Sequence, residues 1–154
     1  MPASPPSLEF AFEVRATLGA PLEVGPTPLG DRRIIPVTGG TFEGPGISGK
    51  VLSGGADWQL LRPDGVAVID ARYTLQTTSG ALIYVSNKGL RHGPPEVMAR
   101  LRAGEAVDPS TYYFRTVPEF EASAPELQWL TRSIFICAGE RHAAHVVIRY
   151  WRVT

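Results

Sequence analysis

The chain has 154 residues, with 15 Lys and Arg against 15 Asp and Glu, three histidines and a single cysteine. That length suits one domain and lets a folded chain bury roughly two-thirds of its unfolded surface, so neither a disulfide nor a metal is needed to hold it together. The balanced charge argues against nucleic acid or an anionic membrane as the main partner, because both select a basic field.

Residues Met1 to Ser7 are rich in proline and read as a frayed tail ahead of a single domain over residues 8–154. They show neither the basic nor the apolar region of a signal peptide, and no apolar run approaches the roughly 20 residues of a spanning helix. A cytoplasmic location is the expectation. From Leu8 to Leu18, Leu8, Phe10, Phe12, Val14 and Ala16 alternate with Glu9, Glu13, Arg15 and Thr17. A period of two predicts a strand with one buried face. A Pro/Gly-rich connector follows, Gly19 to Gly30. Short strands are predicted over Arg32–Val37 and Gly46–Leu52, then over Asp57–Arg62, closed by the turn Pro63-Asp64-Gly65.

Val66–Thr77 and Ala81–Leu90 predict a hairpin around Ser79-Gly80. Pro94-Pro95 ahead of EVMARLRAG suits one short helix ending at Gly104, and Pro125–Leu130 one further helical turn. Three strands close the chain: Ser110–Val117, Arg132–Ala138 and Ala143–Val153. Eight or nine short strands with one clear helix make an antiparallel all-β domain, either a barrel or a two-sheet sandwich.

Several motifs lead nowhere. Gly44, Gly49 and Lys50 match part of a phosphate-binding loop, but Val51 stands where Ser or Thr would bind magnesium and VLSGG prevents a helix. His142 and His145, three apart, are expected on opposite faces of a strand, and no carboxylate cluster accompanies them, so no metal site is expected. Cys137 lies in the apolar run SIFICAG and reads as a buried, inert thiol.

One arrangement carries chemistry. With Ser79-Gly80 as a two-residue turn, paired residues sum to 159, so Arg72 faces Asn87, Asp70 faces Gly89 and Val68 faces Arg91. Asp70, Arg72, Asn87 and Arg91 then project from one side, with Ile69, Ala71, Tyr73, Leu75, Tyr84 and Leu90 on the other. Two guanidinium groups can hold a carboxylate or enolate while Asp70 moves a proton. The competing reading is a solvated outer face, and a slip of one residue would send Asn87 to the other side. In STYYFRTVPEFEA, Tyr113 and Arg115 share a face; Glu121 and Trp129 are candidates for the same mouth, and Trp58 reads more simply as core packing.

The ordered series GDRRIIPVTGGTFEGPGISGKVLSGGADWQ, RPDG, DARYTLQT, GALIYVSNKGLRHG, YYFRTVPEFE, WL and GERH resembles the domain-of-unknown-function family number 3237, also catalogued as uncharacterised protein family 0311. The resemblance spans about Leu8 to Val153, with Leu130-Thr131 standing where Leu-Asn is expected. It implies a compact antiparallel β-barrel, similar to lipocalin-like barrels, whose interior or mouth takes a small ligand; it implies no established reaction. The motif positions that map here are Asp57, Trp58, Asp70, Arg72, Tyr73, Asn87, Arg91, Tyr113, Arg115, Glu121 and Trp129.

The expectation is therefore a cofactor-independent isomerase, lyase or cyclase acting on a small organic acid or carbonyl compound. Asp70 is the expected acid/base, Arg72, Arg91 and Arg115 the expected anion-binding groups, and Asn87 and Tyr113 hydrogen-bond donors. The alternatives are a non-catalytic binding barrel and a structural protein that dimerises through a sheet face. A homodimer is the commonest assembly for soluble chains and stays open here.

Overall fold

The computed structural model describes residues 1–154. Ten strands follow in order: β1 Leu8–Leu18, β2 Leu22–Thr27, β3 Gly30–Gly44, β4 Ile47–Val51, β5 Gly55–Leu61, β6 Ala67–Thr77, β7 Leu82–His92, β8 Tyr113–Glu121, β9 Phe135–Arg141 and β10 His145–Val153. Helix α1, Pro95–Arg102, lies between β7 and β8, and 3₁₀ turns occupy Pro109–Thr111 and Pro125–Thr131. The strand read for β1 spans Leu8–Leu18 as expected, but its alternation holds only from Phe12 onward: a bulge between Phe10 and Phe12 shifts the register and leaves Leu8 and Phe10 exposed. The connector after it contains an additional strand, β2, and the glycines at 39 and 40 bend β3 without ending it.

Every pairing is antiparallel, and β1 joins β10 on one side and β3 on the other, so the sheet closes into a barrel. Strands β4 and β5 succeed each other in the gap between β3 and β6, separated by a turn at Gly54, whose φ of 103° favours glycine. Strand β2 hydrogen-bonds only to β3. Its Pro26, which has no N–H to give a ladder, fits an edge position.

Side-chain size decides which end of the barrel is filled. On the inner face of β1 the residues shrink from Phe12 through Val14 to Ala16, all buried. At the wide-residue end, the Phe12 ring stacks on Tyr150 with centroids 4.4 Å apart, and Phe120 meets Phe135 edge-on at 5.1 Å. The Pro125–Thr131 turn drives Leu127 and Leu130 into the same end. Each buried aromatic contributes on the order of 1.5–3 kcal/mol through apolar area alone. The opposite end is walled by Ala16, Ala67 and Ala71 and overlaid by α1, which sends only Leu101 fully inward.

The β6–β7 hairpin corrects the sequence expectation. Its loop holds three residues, Thr78-Ser79-Gly80, closed by the Thr77 N–H to the Ala81 carbonyl at 2.8 Å. Gly80 takes φ 94°, and the Thr77 hydroxyl accepts the Ala81 N–H at 3.0 Å, which fixes the longer loop. Partners therefore run Ala67↔Arg91, Asp70↔Lys88, Ala71↔Asn87 and Arg72↔Ser86. This one-residue slip turns Asn87 and Arg91 inward and Asp70 and Arg72 outward. It also leaves Tyr84 and Leu90 outside while Ile69, Ala71, Tyr73 and Leu75 form the core.

Candidate functional site

Inner-face residues from four strands converge at the end of the barrel that α1 overlays. Strands β3, β5, β7 and β9 bring Arg33, Asp57 and Gln59, Arg91 and Arg141. Strand register explains the grouping: Arg33 lies opposite Gln59, Ile35 opposite Asp57, Asp57 opposite Ala71, and Ala67 opposite Arg91. Tyr112, just before β8, reaches across so that its hydroxyl accepts the Arg141 N–H at 3.0 Å.

Asp57 is the one carboxylate of the group, and it faces the inner side of the cluster, into a small cavity shared with Arg91 and Arg141. Its Oδ1 accepts the Asp70 N–H at 3.0 Å and its Oδ2 accepts from the buried Gln59 Nε2 at 3.2 Å. Burial raises its carboxyl above the ordinary range, while those two hydrogen bonds and the positive charge of Arg91 pull the other way. A carboxyl held between such opposing pulls suits proton transfer.

Arg91 is only 9% exposed, and its Nε has no hydrogen-bond partner. No carboxylate comes within the 4.0 Å of an ion pair with it. Its guanidinium lies 5.4 Å from the centroid of the Phe114 ring, a cation–π contact. Gly139, opposite Phe114, makes room for that ring: a Cβ there would sit 2.7 Å from it. Burial lowers Arg91 to about 10, opposed by the charge of Asp57.

Arg141 gives Nη1 to the carbonyls of His142 and His145, and burial followed by the charge of Arg33 lowers its pKa. Arg33 is tied to Glu23 at 2.9 Å. The space these groups line together with α1 measures about 510 Å³ and contains no acidic side chain. Beneath the arginines a second cavity of about 50 Å³ is walled, apart from Asp57 and the two arginines Arg91 and Arg141, by aliphatic and aromatic side chains.

Of the residues expected at the site, Asp57 and Arg91 meet here. Tyr73 and Asn87 are inside but deeper, where the Tyr73 hydroxyl bonds that of Tyr150 and Asn87 Nδ2 donates to it at 3.4 Å. Burial raises Tyr73 well above the usual phenol range. Asp70 and Arg72 form an outer pair at 3.7 Å, with Arg72 half exposed. Trp58 is outside and its carbonyl accepts from Arg32, while Tyr113 stacks on His92 at 5.0 Å and lies under Arg115 on the outer surface. Glu121 is exposed, and Trp129 packs on Phe135 at the filled end. The expected cluster is thus split by the sheet, because alternate residues of a strand point to opposite faces.

The residues that sequence reasoning missed are Gln59, Arg141 and Arg33. Gln59 follows Asp57 by two positions and so shares its face, and Arg141 stands in the quoted GERH. Their conjunction depends on strands distant in sequence. Away from the site, His142 and His145, expected on opposite faces, stack with centroids 4.4 Å apart because the chain turns between them. Cys137 is buried beside Thr116, and burial pushes its thiol up to about 12.

The fold and site define a class: a closed antiparallel β-barrel with one filled end and, at the other, buried basic side chains grouped around a single carboxylate. The chain belongs to the family described as protein of unknown function (DUF3237), whose model matches residues 6–153. It is 46% identical over 145 residues to a UPF0311 protein of Rhodopseudomonas palustris, covering 93% of this chain and 95% of that one. The crystal structure of a conserved protein of unknown function from R. palustris superposes with a TM-score of 0.93 at 41% identity, over 99% of both chains. A hydroalkoxylation enzyme of Penicillium herquei is 34% identical over 83 residues, covering 54% of this chain and 55% of that one. The crystal structure of an enzyme from the same fungus shares the fold, with a TM-score of 0.74 at 23% identity over 100% of this chain and 98% of that one. No helix is long and apolar enough to cross a membrane.

Proposed function

We propose that this barrel is a cofactor-independent enzyme that moves a proton on a small anionic or carbonyl-bearing substrate, adding or removing an O–H group across an activated carbon–carbon double bond. The observation that carries the reading is Arg91: a buried guanidinium with an unpartnered Nε, bordering both the outer chamber, which has no carboxylate, and the small cavity beneath it, whose one carboxylate is Asp57. A buried cation without a protein anion is a site for a ligand anion, since leaving it unpaired is costly. The partial relationship to a hydroalkoxylation enzyme supports the choice of reaction type.

In the addition direction, Asp57 as carboxylate takes the proton from the attacking hydroxyl. Its oxygen then bonds the β-carbon of a conjugated carbonyl compound, and the electron pair of the double bond moves to the carbonyl oxygen as an enolate. Arg91 and Arg141 stabilise that oxygen, and Asp57 returns the proton to the α-carbon, leaving the enzyme unchanged. Gln59 and the Asp70 N–H aim the carboxylate. Elimination is the same sequence reversed.

Deuterium incorporation at the α-carbon, followed by NMR in D₂O with a panel of conjugated acids and ketones, tests this. Exchange in the wild type, its loss in Asp57→Asn with binding retained within a few fold, and loss of binding in Arg91→Met are expected. Ligand binding with no exchange for any panel member would make the protein a non-catalytic binding barrel. Retention of exchange in Asp57→Asn would remove Asp57 from the chemistry.

A further inference from the structure

The second cavity, about 50 Å³, lies directly under the charged layer. Arg91 and Arg141 border both it and the outer chamber, and Asp57 faces into it, so the polar groups form a collar between two compartments. Below the collar the walls are Ala16, Ile35, Val37, Ile69, Ala71 and Ile148. Tyr73 also lines it, but its hydroxyl is bonded to Tyr150. No other polar side chain enters, so nothing there satisfies a polar ligand group.

Resting on the anion-site reading above, we infer the substrate class: an acid or enolisable carbonyl compound whose polar head sits at the Asp57–Arg91–Arg141 collar and whose short alkyl group, three or four carbons long, enters the apolar cavity. A water-sized sphere occupies about 10–15 Å³ on this measure, so the cavity takes three or four carbon atoms and no long chain. Ala71 on β6 and Ala16 on β1 set that depth, both being buried and walling the cavity with a single methyl each. Ala71 stands opposite Asp57 in the ladder, which places the size limit next to the acid/base group. Bulky or polar substituents of the substrate belong in the outer chamber beneath α1, which is about ten times larger in volume.

The test is a calorimetric titration at neutral pH with saturated monocarboxylates from acetate to octanoate, including 3-methylbutanoate. Each buried methylene tightens binding about fourfold, so affinity rises from acetate to pentanoate or 3-methylbutanoate and falls again by octanoate. In Ala71→Leu the optimum shifts to acetate or propanoate; Ala16→Val serves if that variant does not fold. A neutral probe, 2-methylpropan-1-ol, is followed in parallel through the methyl resonance of Ala71.

Carboxylate binding that needs Arg91 but is flat in chain length, or an optimum unmoved by filling the cavity, overturns the substrate class and leaves the anion site standing. Perturbation of Ala71 by the alcohol, with no acid bound more tightly than by Arg91→Met, overturns the anion site while the apolar cavity stands. Neither probe binding overturns both.

Discussion

Replacing Arg91 by methionine is expected to stabilise the ligand-free protein. The side chain is 9% exposed, with no carboxylate in ion-pair range and an unpartnered Nε. Its pKa is lowered from 12.5 to about 10, chiefly by burial, a difference of 2.5. At about 1.36 kcal/mol for each pKa unit, keeping this guanidinium charged in place costs about 3 kcal/mol at neutral pH. That net cost already contains the attraction of Asp57, and the cation–π contact with Phe114 offsets about 1–2 kcal/mol of it. Methionine keeps most of the volume without the charge, so the net gain is about 1–2 kcal/mol. For a chain of this length that raises Tm by about 2–8 °C, from about 2–4 °C per kcal/mol. Differential scanning calorimetry at pH 7 with parallel urea titration reads it. A loss of stability of more than about 1 kcal/mol would refute the reasoning, because it would show the guanidinium to be satisfied within the fold. The gain is a stability–activity trade-off: the same variant is expected to lose ligand binding.

Asp57→Asn tests the other half of the collar through pH. Its folded pKa is raised above 3.8 by burial, so the folded state holds its proton more tightly than the unfolded one. Stability is therefore lost as pH rises from 3.8 through the raised value, and Asn removes that loss; the variant is expected to be more stable than wild type at pH 7, with the difference vanishing below pH 4. Asp70→Asn and Arg72→Ala, on the outer face with a 3.7 Å contact, are expected to change stability by less than about 0.5 kcal/mol and to leave ligand titrations unchanged. Gly139→Ala places a methyl 2.7 Å from the Phe114 ring, so a loss of about 1–3 kcal/mol is expected in urea unfolding, with weakened ligand binding as the shelf under Arg91 tilts. Tyr73→Phe removes one partner of the buried Tyr150 hydroxyl and is expected to cost about 1 kcal/mol in the same assay.

Much of the architecture was legible in the residues. The alternation of β1, the Pro95 and Gly104 signals around α1 and the absence of other long helical periods place an all-β chain, and the ordered motifs place it in its family. The acidic residue at 57 and the arginine at 91 were within reach as candidates, since both fall in quoted motifs. Asp70 and Arg72 entered as the reacting pair through a single assumption about a turn. Thr77 and Gly80 make that loop one residue longer, through a threonine hydroxyl on a backbone N–H and a glycine at φ 94°, and every side chain on one strand changes face relative to the other.

The sequence by itself determined the local terms: which stretches are extended, where the helix starts and stops, and that β1 narrows from phenylalanine to alanine on its inner face. Only the tertiary structure decided which polar groups meet. Arg33, Asp57, Arg91 and Arg141 come from four strands and gain a shared environment only when β1 closes on β3 and β10. Burial, the largest influence on both Asp57 and Arg91, likewise exists only in the closed barrel. A one-residue register shift leaves composition and periodicity unchanged, yet it exchanges the inside of a strand for its outside.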